Sequence, residues 1–154
     1  MNKQPNSRMC FVCGMKNIAG VKVFFYEIED GTILARFTGQ DIHQGYPGRF
    51  HGGVLAGILD EMIGRVIRIE YGDDMWGVTA ELTIRYRQPV PLGVELEATG
   101  RVIKDSRRMF EGEGRILLPD GTAAVTARGK YVKLPPSSLS EFDPEKEEWQ
   151  IVPD

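Results

Sequence analysis

Few residues in this chain can do chemistry, and most of them lie close together. Asp60 stands inside the otherwise apolar run of residues 51–68, HGGVLAGILDEMIGRVIR. An unpaired carboxylate among apolar groups is expensive, so Asp60 either meets a solvent-reached cleft, is hydrogen-bonded, or is protonated. Nine residues before it, His51 is followed by Gly52 and Gly53. Two glycines at a helix start leave two backbone N–H groups unobstructed, and the positive end of the helix adds partial charge in the same place. A base beside water, together with donors where negative charge grows, makes a site for attack on a carbonyl. There is no Gly-x-Ser-x-Gly elbow and no visible Ser-His-Asp arrangement, so the common serine-hydrolase route is absent.

The element that must position these groups is a helix. Val54, Leu55, Ile58, Leu59, Met62, Ile63, Val66 and Ile67 recur at three and four residues, which is helical periodicity. The stripe is wide, so the helix is buried on most of its circumference, against a sheet. Gly57 and Gly64 each lower helix propensity by about 1 kcal/mol relative to Ala, and close approach by another backbone is the expected reason. Glu61 is placed to pair with Arg65 four residues on. At about 1.5 Å per residue, Asp60 lies about 13 Å along the axis from His51. Asp60 and the Gly52 N–H of one chain therefore cannot hold the same carbonyl, whereas a site shared by two chains could.

The remaining chain reads mainly as strands. Residues 21–28 and 32–37, joined by Glu29-Asp30-Gly31, form a hairpin pattern. Residues 38–50 lack periodicity and form a loop at the mouth of the helix, where sites tend to be found. Residues 76–86 alternate, with Thr79, Glu81, Thr83 and Arg85 on one parity and Ala80, Leu82, Ile84 and Tyr86 on the other. Residues 94–103, 107–118 and 122–134 follow as strands with short turns, which favours antiparallel neighbours. One helix cannot cover both faces of such a sheet, and dimerisation would cover the rest. Residues 1–9 read as loosely attached. Residues 135–154 read as a polar tail anchored by Trp149, Ile151 and Val152, with little expected of it functionally.

Composition narrows the class. The chain has 154 residues, a formal net charge of -3 and two cysteines. That is one domain able to build a core unaided, with no nucleic acid expected as partner. No apolar run is long enough for a membrane span, and no secretory h-region is visible, so a cytoplasmic protein is expected. Cys10 and Cys13 have the spacing of a zinc half-site or a redox pair. Four-coordinate zinc needs two more ligands, and there is no further cysteine. Of the only histidines, His43 and His51, His51 is committed to the helix start, which leaves only a site shared between chains. The other reading is a tight turn that buries both cysteines and Phe11. No metal is expected.

These residues carry a pattern. His43-Gln-Gly-Tyr-Pro-Gly-Arg-Phe-His51-Gly-Gly53 is followed by Asp60, then Trp76-Gly-Val-Thr79-Ala80, then Leu82-Thr-Ile-Arg-Tyr-Arg-Gln-Pro-Val90 and Gly93. With Cys10-x-x-Cys13-Gly14 and Asn17, the chain over residues 10–134 resembles a hotdog-fold thioesterase of the PaaI-like acyl-CoA thioesterase group. The resemblance implies an α+β fold in which a long central helix is wrapped by an antiparallel sheet. It implies an N-terminal segment of residues 1–20, a hotdog domain of residues 21–134 and a tail of residues 135–154. It also implies a homodimer or a dimer of dimers with sites at the interface, acyl-CoA or another acyl thioester as partner, and no cofactor.

Carried over residue by residue, Asp60 matches the catalytic carboxylate, as general base or as nucleophile. Gly52 matches the backbone oxyanion donor, His51 the motif histidine, and Thr79 the hydroxyl that places water or satisfies a backbone group. The asparagine found in several relatives six residues before the histidine is Gly45 here, and Gln44 beside it would supply the amide. Gly53 adjoins the substrate. Tyr46 and Phe50 line the acyl pocket or anchor the loop. Arg107 and Arg108, clustered with Arg101, contact coenzyme A phosphates or form a solvated edge. Non-hydrolytic binding of acyl thioesters is the alternative. A hydratase would need a different spacing of Asp and His, and a purely structural dimer would leave the double glycine unexplained.

Overall fold

The computed structural model describes residues 1–154. Its strands are β1 (Asn2–Lys3), β2 (Phe24–Glu27), β3 (Ile33–Thr38), β4 (Trp76–Tyr86), β5 (Glu95–Asp105), β6 (Met109–Leu117) and β7 (Ala123–Leu134). Its helices are α1 (Gly52–Arg65) and the single turn α2 (Arg68–Tyr71). The strands form one seven-stranded sheet in the order β1-β2-β3-β5-β6-β7-β4. Every neighbouring pair is antiparallel. The sheet curls around α1, which is the hotdog arrangement of an α+β domain.

Turn chemistry closes the hairpins where the sequence places them. Gly31 and Gly121 take φ of +79° and +87°, a region that glycine enters freely. In each turn the preceding aspartate accepts a backbone N–H two residues on, Thr32 to Asp30 and Thr122 to Asp120. The apolar stripe of α1 buries Leu55, Ile58, Leu59, Met62 and Ile63 against Phe25, Ile33, Leu96, Phe110, Ile116 and Tyr131. The helix ends at Arg65 rather than running on to Arg68. At Val66 the chain tightens, its N–H donating to Ile63 O, and it restarts as α2 with Val66 and Ile67 both buried.

The helix lies unusually low on the sheet because facing positions lack side chains. A Cβ on Gly112 would sit 2.5 Å from Ile63, and one on Gly114 would sit 2.7 Å from Met62. Gly64 of α1 and Gly77 of β4 meet backbone to backbone. A Cβ on Gly64 would lie 3.3 Å from Gly77 O, and one on Gly77 would lie 3.0 Å from Gly64 O. The expected close approach is therefore found at Gly64. It is not found at Gly57, where a Cβ would only touch Val12 at 3.7 Å.

Two other expectations are corrected. Residues 1–9 are not loose, because β1 pairs with β2, and Gln4 and Asn6 are buried. Asn6 Nδ2 donates to Cys13 O at 2.8 Å and to Val23 O at 3.0 Å. These bonds satisfy carbonyls that burial would otherwise leave unpaired. The strand parity also changes within β4. The register against β7 shifts between Thr79 and Glu81, so Ala80 is a bulge and the residues on either side of it face opposite ways. No helix is long and apolar enough to cross a membrane.

Two glycine substitutions are expected to act in opposite directions in urea unfolding. Gly77→Ala would overpack a site where its Cβ meets Phe110 at 2.7 Å, costing about 1–3 kcal/mol. Gly57→Ala would gain up to about 1 kcal/mol from helix propensity.

Candidate active site

Asp60 projects from the middle of α1 to where β4 and β7 run side by side. Thr79 and Tyr131 are direct cross-strand partners there, and both hydroxyls reach the same carboxylate oxygen. Thr79 Oγ1 donates to Asp60 Oδ1 at 2.7 Å, and Tyr131 OH lies 3.1 Å from both Oδ1 and the Asp60 carbonyl. Asp60 Oδ2 has no partner within the chain. The Ala80 bulge is what aims Thr79 at the helix, while Glu81, Thr83 and Arg85 beyond it lie on the opposite, outer face of the sheet. Thr79 thus does not share the face of Glu81 and Thr83 as simple alternation implies.

Tyr131 was not apparent as a site residue in the sequence. Its ring stacks on Phe110 with centroids 5.1 Å apart. Burial first, and then the Asp60 charge beside it, push the Tyr131 phenol far above its ordinary value of 10.0. It therefore stays a hydrogen-bond donor toward Asp60.

Asp60 and Thr79 open into a cleft of about 630 Å³, whose walls include Cys10, Glu61, Trp76, Phe142 and Trp149. The C-terminal tail thus forms part of the cleft wall. Trp76 packs on Phe142 and Trp149 at centroid distances of 4.8 Å and 5.6 Å. Trp149 Nε1 donates to Asp73 Oδ1, and the guanidinium groups of Arg65 and Arg68 lie over the Trp149 ring. Glu61 pairs with Arg65 at 2.9 Å, as its spacing predicts.

The second group of sequence-derived residues sits at the start of α1. His51 is the N-cap, and its Nδ1 accepts the Gly53 N–H at 2.9 Å. That bond requires the His51 proton on Nε2 and uses up the Gly53 donor, so the double glycine offers one free N–H rather than two. The Gly52 N–H has no partner within the chain, while the Gly52 carbonyl accepts from Tyr86 OH at 2.7 Å. Gln44 Oε1 accepts from Gly48 N–H at 3.1 Å, which leaves its NH2 free beside the helix start. A Cβ on Gly45 would sit 3.0 Å from His51 Cα, so the loop has little room for a side chain at that position. Phe50 is buried against Phe37 and His43 and anchors the loop, whereas Tyr46 is 84 % exposed.

Eight residues of helix separate Gly52 from Asp60, about 12 Å, and the structure does not bring the two groups together within one chain. Arg107 and Arg108 lie exposed in the β5–β6 turn, at the Trp76 end of the sheet, without ion-pair partners. Arg101 does not join them, because it is committed to Glu113 at 2.8 Å on the outer face.

The thioesterase superfamily profile matches residues 47–125, just over half of the chain. The chain belongs to the thioesterase superfamily. The matched span holds His51, Gly52, Asp60 and Thr79 and stops before Tyr131. Among curated relatives, the chain is similar to acyl-coenzyme A thioesterase THEM4 of Bos taurus, 28% identical over 77% of this chain, and of Mus musculus, 30% identical over 74%. It spans 48% of the length of each, about half. Among solved structures it is similar to the thioesterase superfamily protein RHA08564, with a TM-score of 0.74 and 32% identity over 81% of this chain and 63% of that one. The BH2602 protein from Bacillus halodurans, solved with CoA, shares the fold at a TM-score of 0.67 and 24% identity, over 75% of this chain and 76% of that one.

The raised Tyr131 sets a pH dependence. The unfolded chain ionises this phenol near its ordinary 10.0 and the folded chain resists. The stability it contributes is therefore complete below that pH and is lost as pH rises above it, by up to about 1.4 kcal/mol per pH unit. Thermal unfolding followed from neutral to strongly alkaline pH should fall less steeply in Tyr131→Phe than in the wild type.

Proposed function

We propose that this thioesterase superfamily member hydrolyses acyl thioesters of coenzyme A in a site assembled from two copies of the chain. The observation that carries this reading is the Asp60 carboxylate, held at Oδ1 by Thr79 and Tyr131 with Oδ2 free toward a cleft large enough for an acyl group. Asp60 takes a proton from a water as that water adds to the thioester carbonyl carbon. Negative charge moves onto the carbonyl oxygen and is received by the Gly52 N–H of the second copy, at the positive end of its α1. Gln44 NH2 adds a second donor there. Collapse of the tetrahedral species breaks the C–S bond, and the leaving thiolate takes the proton held by Asp60. The products are a carboxylic acid and coenzyme A. Direct attack by Asp60 would instead give an anhydride that water must cleave.

The same reading calls for a homodimer. The sheet ends on β4, an 11-residue strand with no neighbour on its outer edge. Pairing β4 with its copy would extend the sheet and remove an edge prone to non-specific pairing. It would also carry the helix start of one chain toward the cleft of the other. His51 acts through its cap on Gly53 to fix the helix start, and Tyr46, exposed in a single chain, meets the second copy. Arg107 and Arg108 have free guanidinium groups at the Asp60 end of the sheet, suited to the phosphates of coenzyme A. The name carried by the two THEM4 relatives supports coenzyme A as the thiol.

The test is thiol release from a panel of short, long and aryl acyl-CoA substrates, with Asp60→Asn run beside the wild type. Turnover in the wild type, reduced by about 10²–10⁴ in a variant that keeps its size in solution, is the expected result. Acyl-CoA binding without turnover in the wild type would replace hydrolysis with a binding role.

A further inference from the structure

Cys10 and Cys13 line the cleft that Asp60 opens into but take no part in the proposed hydrolysis, and their surroundings are built. Cys10 and Cys13 occupy a tight turn in which Gly14 N–H donates to Cys10 O at 2.7 Å. A Cβ on Gly14 would lie 2.3 Å from that carbonyl, so the turn admits only glycine. Two backbone donors point at one sulfur, Val12 N–H at 3.3 Å and Cys13 N–H at 3.5 Å from Cys10 Sγ. The hydroxyl of Ser7 lies 3.3 Å from Cys13 Sγ. A metal would bind these sulfurs as thiolates, releasing the Cys10 proton that is otherwise shared with Glu61.

A third group arrives from α1. Glu61 Oε2 lies 3.0 Å from Cys10 Sγ, and both sulfurs and the carboxylate oxygen lie within 4.8 Å of one another. The other oxygen, Oε1, is held by Arg65 Nε at 3.0 Å and Nη2 at 2.9 Å. That is the way an outer group orients a ligating carboxylate.

We propose that Cys10, Cys13 and Glu61 form a zinc site, with the fourth position taken by water from the cleft. Tetrahedral zinc, with Zn–S of about 2.3 Å and Zn–O of about 2.0–2.2 Å, sets neighbouring ligand atoms about 3.3–3.8 Å apart. The three atoms need only small shifts to meet that spacing. Two thiolates and a carboxylate balance one divalent ion and the Arg65 guanidinium, so the half-buried cluster is neutral overall. Two soft sulfurs select zinc over magnesium or calcium. Binding displaces the thiol protons to solvent. A disulfide would use both sulfurs but leave Glu61 Oε2 facing them without a donor. The histidines are engaged elsewhere, His43 with Ala19 O and Gln40 N–H and His51 with Gly53 N–H. The ion would join the N-terminal turn to α1 at the residue next to Asp60. This site stands on its own geometry and does not depend on thioester hydrolysis.

The experiment is cobalt titration of the full chain after removal of metals with a chelator, followed by absorption. We expect a thiolate-to-cobalt charge-transfer band and the strong visible absorption of four-coordinate cobalt, saturating at one ion per chain and displaced by zinc. Cys10→Ser should lose most of the charge-transfer intensity. Glu61→Gln should bind at least about tenfold more weakly, the scale seen when even an outer-shell partner of a metal is lost. Zinc should raise the melting temperature of the wild type. The proposal is overturned if wild-type protein shows no charge-transfer band. It is also overturned if Glu61→Gln binds cobalt as tightly as the wild type, or if the thiols oxidise to a disulfide as readily with saturating zinc as without it.

Discussion

A helix can carry a carboxylate into an apolar interface only if polar groups are already within reach. Here that reach is set by the backbone contact between Gly64 of α1 and Gly77 of β4. Either position with a side chain would hold helix and strand further apart. The Thr79 hydroxyl, 2.7 Å from Asp60, would then fall outside hydrogen-bond distance, since such bonds weaken beyond about 3 Å. Gly112 and Gly114 extend the same low seat beneath Met62 and Ile63. The glycines that cost helix and strand propensity are thus the reason a charged group can be held in the middle of the only long helix.

Around that seat, distant parts of the chain converge on one buried cation. The Arg65 guanidinium donates to Glu61 and to Pro5 O, lies over the Phe25 ring, and sits 5.2 Å from the Trp149 ring centre. It joins the central helix, the N-terminal segment, the sheet and the C-terminal tail. A buried guanidinium is tolerated only with such a set of partners. Removing it would leave Glu61 without its cation and loosen both chain ends at the cleft wall.

Much of this was legible in the sequence. The three- and four-residue spacing of apolar residues located α1, the Asp-Gly turns located the hairpins, and the isolated carboxylate located Asp60. The His-Gly-Gly start marked where an N–H would be free, although the cap by His51 reduces two donors to one. Other features were hidden for physical reasons. A bulge leaves no mark in an alternating pattern, so Ala80 concealed the face on which Thr79 lies. Tyr131 sits in a strand where an aromatic reads as core, and only the register across β4 and β7 shows its hydroxyl reaching Asp60. Trp149 was legible as an anchor of the tail, but that it packs on Trp76 together with Phe142 is a tertiary event that a polar stretch without periodicity does not show. Glu61 read as the partner of Arg65 four residues on, and nothing in its spacing joined it to Cys10.

Asp60 and Gly52 lie about 12 Å apart along one helix, so the proposed base and the proposed oxyanion donor can serve one carbonyl only if they come from different chains. The direct test is a mixed dimer of Asp60→Asn and Gly52→Pro, co-expressed with two tags and purified through both. Proline suits the first helical position, where it removes an N–H without breaking the helix. His51 already has the extended backbone, φ -63° and ψ 133°, that a residue before proline adopts. A shared site predicts two inactive homodimers and a heterodimer with about half the wild-type thiol release, since one of its two symmetric sites is intact. A heterodimer as inactive as its parents would contradict the account.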